Sequence, residues 1–193
     1  MKSKRKIGII GYGNMGSAIG ERIKDNYEVS TFDKDKSKLS NLSGIRVTTT
    51  IQDLAKNAEV IILAVKPQDF SAVLNEIKDY VSGKLIISIA AGIKTSYIEK
   101  LLGKVRVIRV MPNIGAKIGR AQTSLYKNKN AKEEDLIFAK RLFDSLGRTW
   151  IMENEEMIDA ATAISGSGPA YIFYDMEVKK IDPKNLPELV KKY

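Results

Sequence analysis

From residue 6 to about residue 150, short runs rich in Ile and Val alternate with amphipathic stretches, an order that few architectures can satisfy. Apolar runs of this length are strands covered on both faces, and the stretches between them are the crossover helices that parallel neighbours require. Strands are expected at residues 6–10, 28–32, 45–47, 60–65, 85–89 and 105–111. Six such strands make a complete doubly wound sheet. Phe70, Val73, Leu74, Ile77 and Val81 recur near the helical period, and helix starts are expected at Pro67 and Thr95. The fold class is α/β, a doubly wound sheet that is mainly parallel.

After the sixth strand the pattern changes. A polar loop at 113–122, a strand at 123–126 and a helix at 133–146 stopped by Gly147 complete the first domain near Trp150. Beyond it the sequence predicts a helix over 155–164, a break at 165–169 and an apolar stretch at 170–178 that begins another helix. Residues 179–193 read as a frayed, Lys-rich tail with one short turn of helix at most. The chain thus divides into 1–152 and a short helical C-terminal segment at 153–193. That segment is too short to bury a core of its own, so it should pack on the first domain or on a second copy of the chain.

Composition removes most kinds of chemistry. The chain has no His and no Cys, which excludes imidazole bases, thiolate nucleophiles, disulfides and zinc fingers. Any chemistry must be carried by something bound. The net charge of +9 comes from Lys and Arg scattered without interleaved aromatic residues, so no nucleic-acid partner is expected. The longest apolar runs, at 60–65 and 85–93, fall far short of the ~20 residues that span a bilayer. The run after the basic N-terminus breaks at Gly11, too early for a secretory signal. No membrane association and a cytoplasmic location are expected.

The strongest local signal is Gly11-x-Gly13-x-x-Gly16, directly after the first strand and opening an amphipathic helix. In that context Gly11 permits the tight turn, Gly13 lets main chain approach a pyrophosphate, and Gly16 lets helix and sheet pack closely. The anion would rest on free N–H groups at the helix N-terminus. Alternatively, the three glycines merely close a strand-to-helix turn. Asp33 follows Gly13 by twenty residues and ends the second strand, where a carboxylate accepts hydrogen bonds from both hydroxyls of an adenosine ribose. It favours NAD(H) over NADP(H), while Lys34, Lys36 and Lys38 pull the other way. Asp33 could equally serve as an Asx turn or helix cap, and one carboxylate can do both. No GxxxxGK[ST] sequence is present to suggest a nucleoside triphosphatase.

Three further segments, Ala64-Val65-Lys66-Pro67, Arg109-Val110-Met111-Pro112-Asn113 and residues 162–171 with their Ser-Gly-Ser-Gly-Pro core, join the glycine turn. Together they resemble the pyrroline-5-carboxylate reductase family, in order from Lys6 to about Tyr174. The resemblance implies a Rossmann-type domain and hydride transfer from nicotinamide C4 to a cyclic imine, 1-pyrroline-5-carboxylate, giving proline. It implies that Gly11, Gly13, Asn14, Met15, Gly16, Ala64, Val65, Lys66, Pro67, Ala90 and Ala91 hold NAD(H) or NADP(H), with Asn113, Ser165, Gly166 and Ser167 toward the substrate. No catalytic side chain and no metal are assigned. The family's segment after the position of Tyr171 enters a helical domain that interlocks two subunits, so residues 153–193 would start that domain and a homodimer is expected. The family's glycine- and threonine-rich stretch for the substrate carboxylate has no counterpart after Pro169. A dinucleotide-binding module lacking the substrate half-site is therefore the alternative expectation. A deazaflavin-dependent NADP reductase or a β-hydroxyacid dehydrogenase is a third reading, which the segments at 64–67 and 165–171 argue against.

Overall fold

The computed structural model describes residues 4–180 together with Asp182 and Lys184. Apart from residues 179, 180, 182 and 184, the expected tail lies outside the described residues, as does Lys2 of the basic start.

Eight strands form one sheet in the order β3-β2-β1-β4-β5-β6-β7-β8. They are β1 (Lys6–Ile10), β2 (Glu28–Phe32), β3 (Ile45–Val47), β4 (Val60–Leu63), β5 (Leu85–Ser88), β6 (Arg106–Met111), β7 (Ala121–Lys127) and β8 (Gly147–Ile151). All pairings are parallel except β6 with β7, which is antiparallel. The helices are α1 (Asn14–Ile23), α2 (Ile51–Asn57), α3 (Phe70–Ile77), α4 (Thr95–Leu102), α5 (Glu133–Asp144), α6 (Glu156–Ala161) and α7 (Gly168–Val178), with short 3-10 turns between some of them.

Alternate strand residues feed two cores. Ile7, Ile9, Val60, Ile62, Leu85 and Ile87 join the layer under α1 and α5, with Ile19, Ile23, Leu142 and Phe143. Ile10, Ile61, Leu63 and Ile86 join the opposite layer under α2, α3 and α4, with Leu54, Phe70, Leu74 and Ile98. Both faces of the central strands are dry, which is why their sequences carry almost no polar residue. β1 lies between β2 and β4, so the chain reverses its winding direction there. Ligands of such sheets bind in the crevice at the carboxyl ends of those strands.

Two expectations need correction. The strand expected at 123–126 is β7, but the sheet has one strand more than the sequence predicts, because Gly147 both ends the α5 region and starts β8, which pairs in parallel with β7 from Ala121↔Gly147 to Leu125↔Ile151. The strand escapes the apolar pattern because it is an edge, with Arg148, Trp150 and Ile151 exposed. The break expected at 165–169 is instead a π-helical turn, Thr162–Gly166, closed by the Ser167 N–H donating to the Thr162 carbonyl at 2.9 Å. The hydroxyls of Thr162 and Ser165 donate to the Ile158 and Ala161 carbonyls, keeping the widened turn hydrogen-bonded. Pro169 falls in the first turn of α7, where a missing N–H costs nothing. A smaller difference is that β4 stops at Leu63, so Ala64 and Val65 belong to the loop.

Candidate coenzyme site

The glycine turn leaves β1 at the reversal point and enters α1. Gly11 sits at φ +93°, and a Cβ there would stand 2.6 Å from the Ala64 carbonyl oxygen. Gly16 packs so closely that a Cβ would come within 2.0 Å of the Gly11 oxygen. Both glycines are therefore demanded by the turn itself. Gly13 is different: a Cβ on it would meet nothing within 4 Å. It is the residue capping α1, and no side chain caps that helix end. With no side chain capping it and open space beside Gly13, this helix end suits a diphosphate.

Asp33 is buried, 7% exposed, at the end of β2. Its Oδ2 accepts the Tyr12 N–H at 2.7 Å, and its Oδ1 accepts the Asp35 N–H at 2.8 Å. The carboxylate is therefore both the Asx turn and a tie from β2 to the glycine turn, with lone pairs still available to a ribose. Burial, reinforced by Glu21, pushes the Tyr12 phenol up, and its ring lies against Gly20.

Gly11, Gly13, Asp33, Ala64, Val65 and Lys66 share one cavity of about 470 Å³. Lys34 and Lys38 line it as well, but each is already engaged. Lys34 lies 2.8 Å from Asp69, whose carboxylate raises the ammonium above its usual pKa. Lys38 lies 3.4 Å from Asp33 and 3.6 Å from Asp35. Lys36 Nζ stands 4.8 Å from the centre of the Phe32 ring, and Phe32 also lines the cavity. Pro67 is exposed and starts a 3-10 turn into α3. Met15 is half-buried on the α1 core, while the exposed Asn14 accepts from Lys117 Nζ at 3.0 Å. Ala90 is buried and Ala91 exposed, in the loop that leads from β5 toward α4.

The residues expected near the substrate stand together, though largely occupied with one another. Asn113 Oδ1 accepts the Gly115 and Gln122 N–H groups, and its Nδ2 donates to the Ser165 carbonyl at 3.2 Å. Ser165, Gly166 and Ser167 lie half-buried on and just after the π turn. A cluster of the buried Arg109 and Thr95 with the half-buried Glu155 and the exposed Asp159 lies beyond the expected site residues. Its sequence signals are an arginine at the third-last residue of a strand whose neighbours are apolar, and the place of that arginine at the head of the segment ending in Asn113.

The family model described as NADP oxidoreductase coenzyme F420-dependent matches residues 6–92, the segment from β1 through the loop after β5. The pyrroline-5-carboxylate reductase of Haemophilus influenzae is 37% identical over 200 residues, covering 95% of this chain and 73% of that protein. The chain belongs to the pyrroline-5-carboxylate reductase family. Its relative from Methanosarcina acetivorans is 42% identical, with 88% of this chain and 66% of that protein covered. This chain thus spans just under two thirds of that relative. The family's structure from Coxiella burnetii superposes with a TM-score of 0.85 at 30% identity, over 98% of this chain and 77% of that one. The Plasmodium falciparum enzyme, solved with NADP bound, does so at 0.81 and 29%, over 100% and 76%. Among the described residues no helix is long and apolar enough to cross a membrane.

Proposed function

We propose that this chain binds a reduced nicotinamide dinucleotide and reduces the cyclic imine 1-pyrroline-5-carboxylate to proline, hydride passing from nicotinamide C4 to the imine carbon. The observation that carries this reading is the opening at Gly13: the fold demands the outer two glycines, while the middle one faces empty space at the head of α1. The relatives named for this reaction support it.

In this reading Gly11, Gly13, Asn14, Met15 and Gly16 hold the diphosphate through main-chain N–H groups, and Asp33 takes the adenosine ribose. Ala64, Val65, Lys66 and Pro67 form one wall, and the small Ala90 and Ala91 leave room for a flat ring. Asn113, Ser165, Gly166 and Ser167 orient the imine. A protonated imine already carries its N–H, so hydride addition alone yields the neutral amine. That matches a chain without His.

The coenzyme preferred is NAD(H). Asp33 repels a 2′-phosphate at the ribose, and the two lysines nearest it in the cavity, Lys34 and Lys38, already pair with carboxylates. Residues 1–152 form the coenzyme domain, and 153–193 begin a helical segment that pairs with a second copy. Support for a homodimer comes from α7, which buries no residue and exposes Tyr171, Phe173, Tyr174 and Val178.

The test is calorimetric titration with NADH and NADPH, followed by an assay of coenzyme oxidation with pyrroline-5-carboxylate. Binding with turnover is expected. Binding without turnover of the imine overturns the reductase reading in favour of a non-catalytic dinucleotide-binding module, and failure to bind either coenzyme overturns both.

A further inference from the structure

Arg109 is wholly buried in β6, between the apolar Ile108 and Val110. Its Nη1 lies 3.3 Å from Glu155 Oε1 and its Nη2 2.5 Å from Asp159 Oδ1. Nε is buried and has no hydrogen-bond partner among the described residues. Glu155 reaches further: Oε1 accepts the Thr95 N–H at 2.7 Å and Oε2 accepts the Thr95 hydroxyl at 2.9 Å. Thr95 is the first residue of α4, and Lys94, which precedes it, provides no side-chain cap. Glu155, sixty residues away, is therefore the cap of that helix.

Packing alone does not call for this arrangement. A buried ion pair is often no more stabilising than apolar residues of the same volume, and its best-attested use is to fix register. Here the register joins two particular places. Thr95 closes the segment that begins with Ala90 and Ala91, while Glu155 stands at the start of α6 and Asp159 lies within that helix, which runs into the π turn bearing Ser165. Four residues after Arg109, Asn113 holds the Ser165 carbonyl. The end of β6 thus grips the C-terminal segment at two points.

We propose that Arg109 is a positioning residue. With Glu155 and Asp159 it locks the turn at 162–167 to the loop at 90–94, so that the two sides of the reaction site keep a fixed spacing. This rests on the reductase reading above for its catalytic consequence, and on the cluster alone for its mechanical one.

The experiment compares the wild-type chain with Glu155→Gln, Asp159→Asn and Arg109→Lys by coenzyme titration, steady-state kinetics and hydrogen exchange. Asp159→Asn removes the exposed carboxylate and leaves Glu155 on Arg109, so folding is retained in that variant even where Glu155→Gln and Arg109→Lys, which disturb the buried pair, fold poorly. Expected is an NADH Kd within about twofold of wild type, with KM for the imine raised about tenfold and kcat changed far less. Amide exchange should accelerate together in residues 95–102 and 156–166, by about tenfold, and stay unchanged in β1 and β2. An unchanged KM, or NADH binding weakened as much as KM, overturns the catalytic consequence. Faster exchange confined to 156–161 overturns the linkage. If the wild-type chain turns over no imine, the reductase reading fails separately, and the exchange pattern alone decides whether Arg109 couples the two segments.

Discussion

Asp33 Oδ2 accepts the backbone N–H of Tyr12 at 2.7 Å, so the residue at the end of β2 holds the middle of the glycine turn in place. One carboxylate builds the turn and, in the proposed function, takes the ribose. Its two duties can be separated by substitution. Asp33→Asn keeps an oxygen for one of the two N–H donors and removes the charge. We expect a loss of about 1–2 kcal/mol in stability. The ratio of NADH to NADPH affinity should fall about tenfold, since a like charge beside the 2′-phosphate has gone. Denaturant unfolding and paired titrations check both.

The glycine turn makes a sharper contrast. Gly13→Ala adds a methyl to open space, so the melting temperature should move little while the Kd for NADH rises at least about tenfold. Gly16→Ala drives a Cβ to within 2.0 Å of the Gly11 oxygen. That substitution should cost more than about 2 kcal/mol of stability whether or not coenzyme is present. Equal effects of the two on stability would refute the distinction.

Lys84 donates to the carbonyls of Ala55, Lys56 and Ala58, at 2.7, 2.9 and 2.5 Å, where α2 ends. Lys84→Met keeps the aliphatic stem and leaves these acceptors to water. A loss of about 1–2 kcal/mol is expected in urea unfolding, with coenzyme affinity unchanged.

Burial alone would raise the Asp144 carboxyl, but hydrogen bonds from Lys140 and Thr149 outweigh it and hold its pKa below the usual 3.8. A lowered folded-state pKa adds stability that is present above the unfolded value and lost as pH falls through the folded one. Asp144→Asn should therefore be destabilising at neutral pH, and its difference from wild type should shrink below about pH 4. A difference independent of pH would contradict this.

Phe173 on α7 is 58% exposed. Phe173→Asp should leave the melting of the coenzyme domain within about 0.5 kcal/mol of wild type, as expected for a surface site. In sedimentation velocity it should convert a dimer into a monomer. A wild-type chain that sediments as a monomer would refute the pairing of α7 with a second copy.

The order of elements through β6 was legible because each central strand is buried on both faces, and a dry strand can hardly be anything but a run of Ile and Val. The glycine turn was legible for a similar reason: its backbone tolerates little else at Gly11 and Gly16. β8 was hidden because an edge strand has one wet side and Gly147 doubles as a helix stop. The π turn was hidden because Gly and Pro usually interrupt helices, and the hydroxyl bonds of Thr162 and Ser165 that prevent it depend on a backbone already formed.

What the sequence determined by itself was local or periodic: the succession of strands and crossover helices, the turn at Gly11 and the acidic residue at Asp33. Such features depend on neighbours within one turn or one strand. Tertiary structure decided which charges meet. Arg109 finds Glu155 and Asp159 across 46 and 50 residues, and Lys34 finds Asp69 across 35. Electrostatic pairing acts through space and leaves no period in the chain, so it becomes visible only once the sheet has brought its strand ends together.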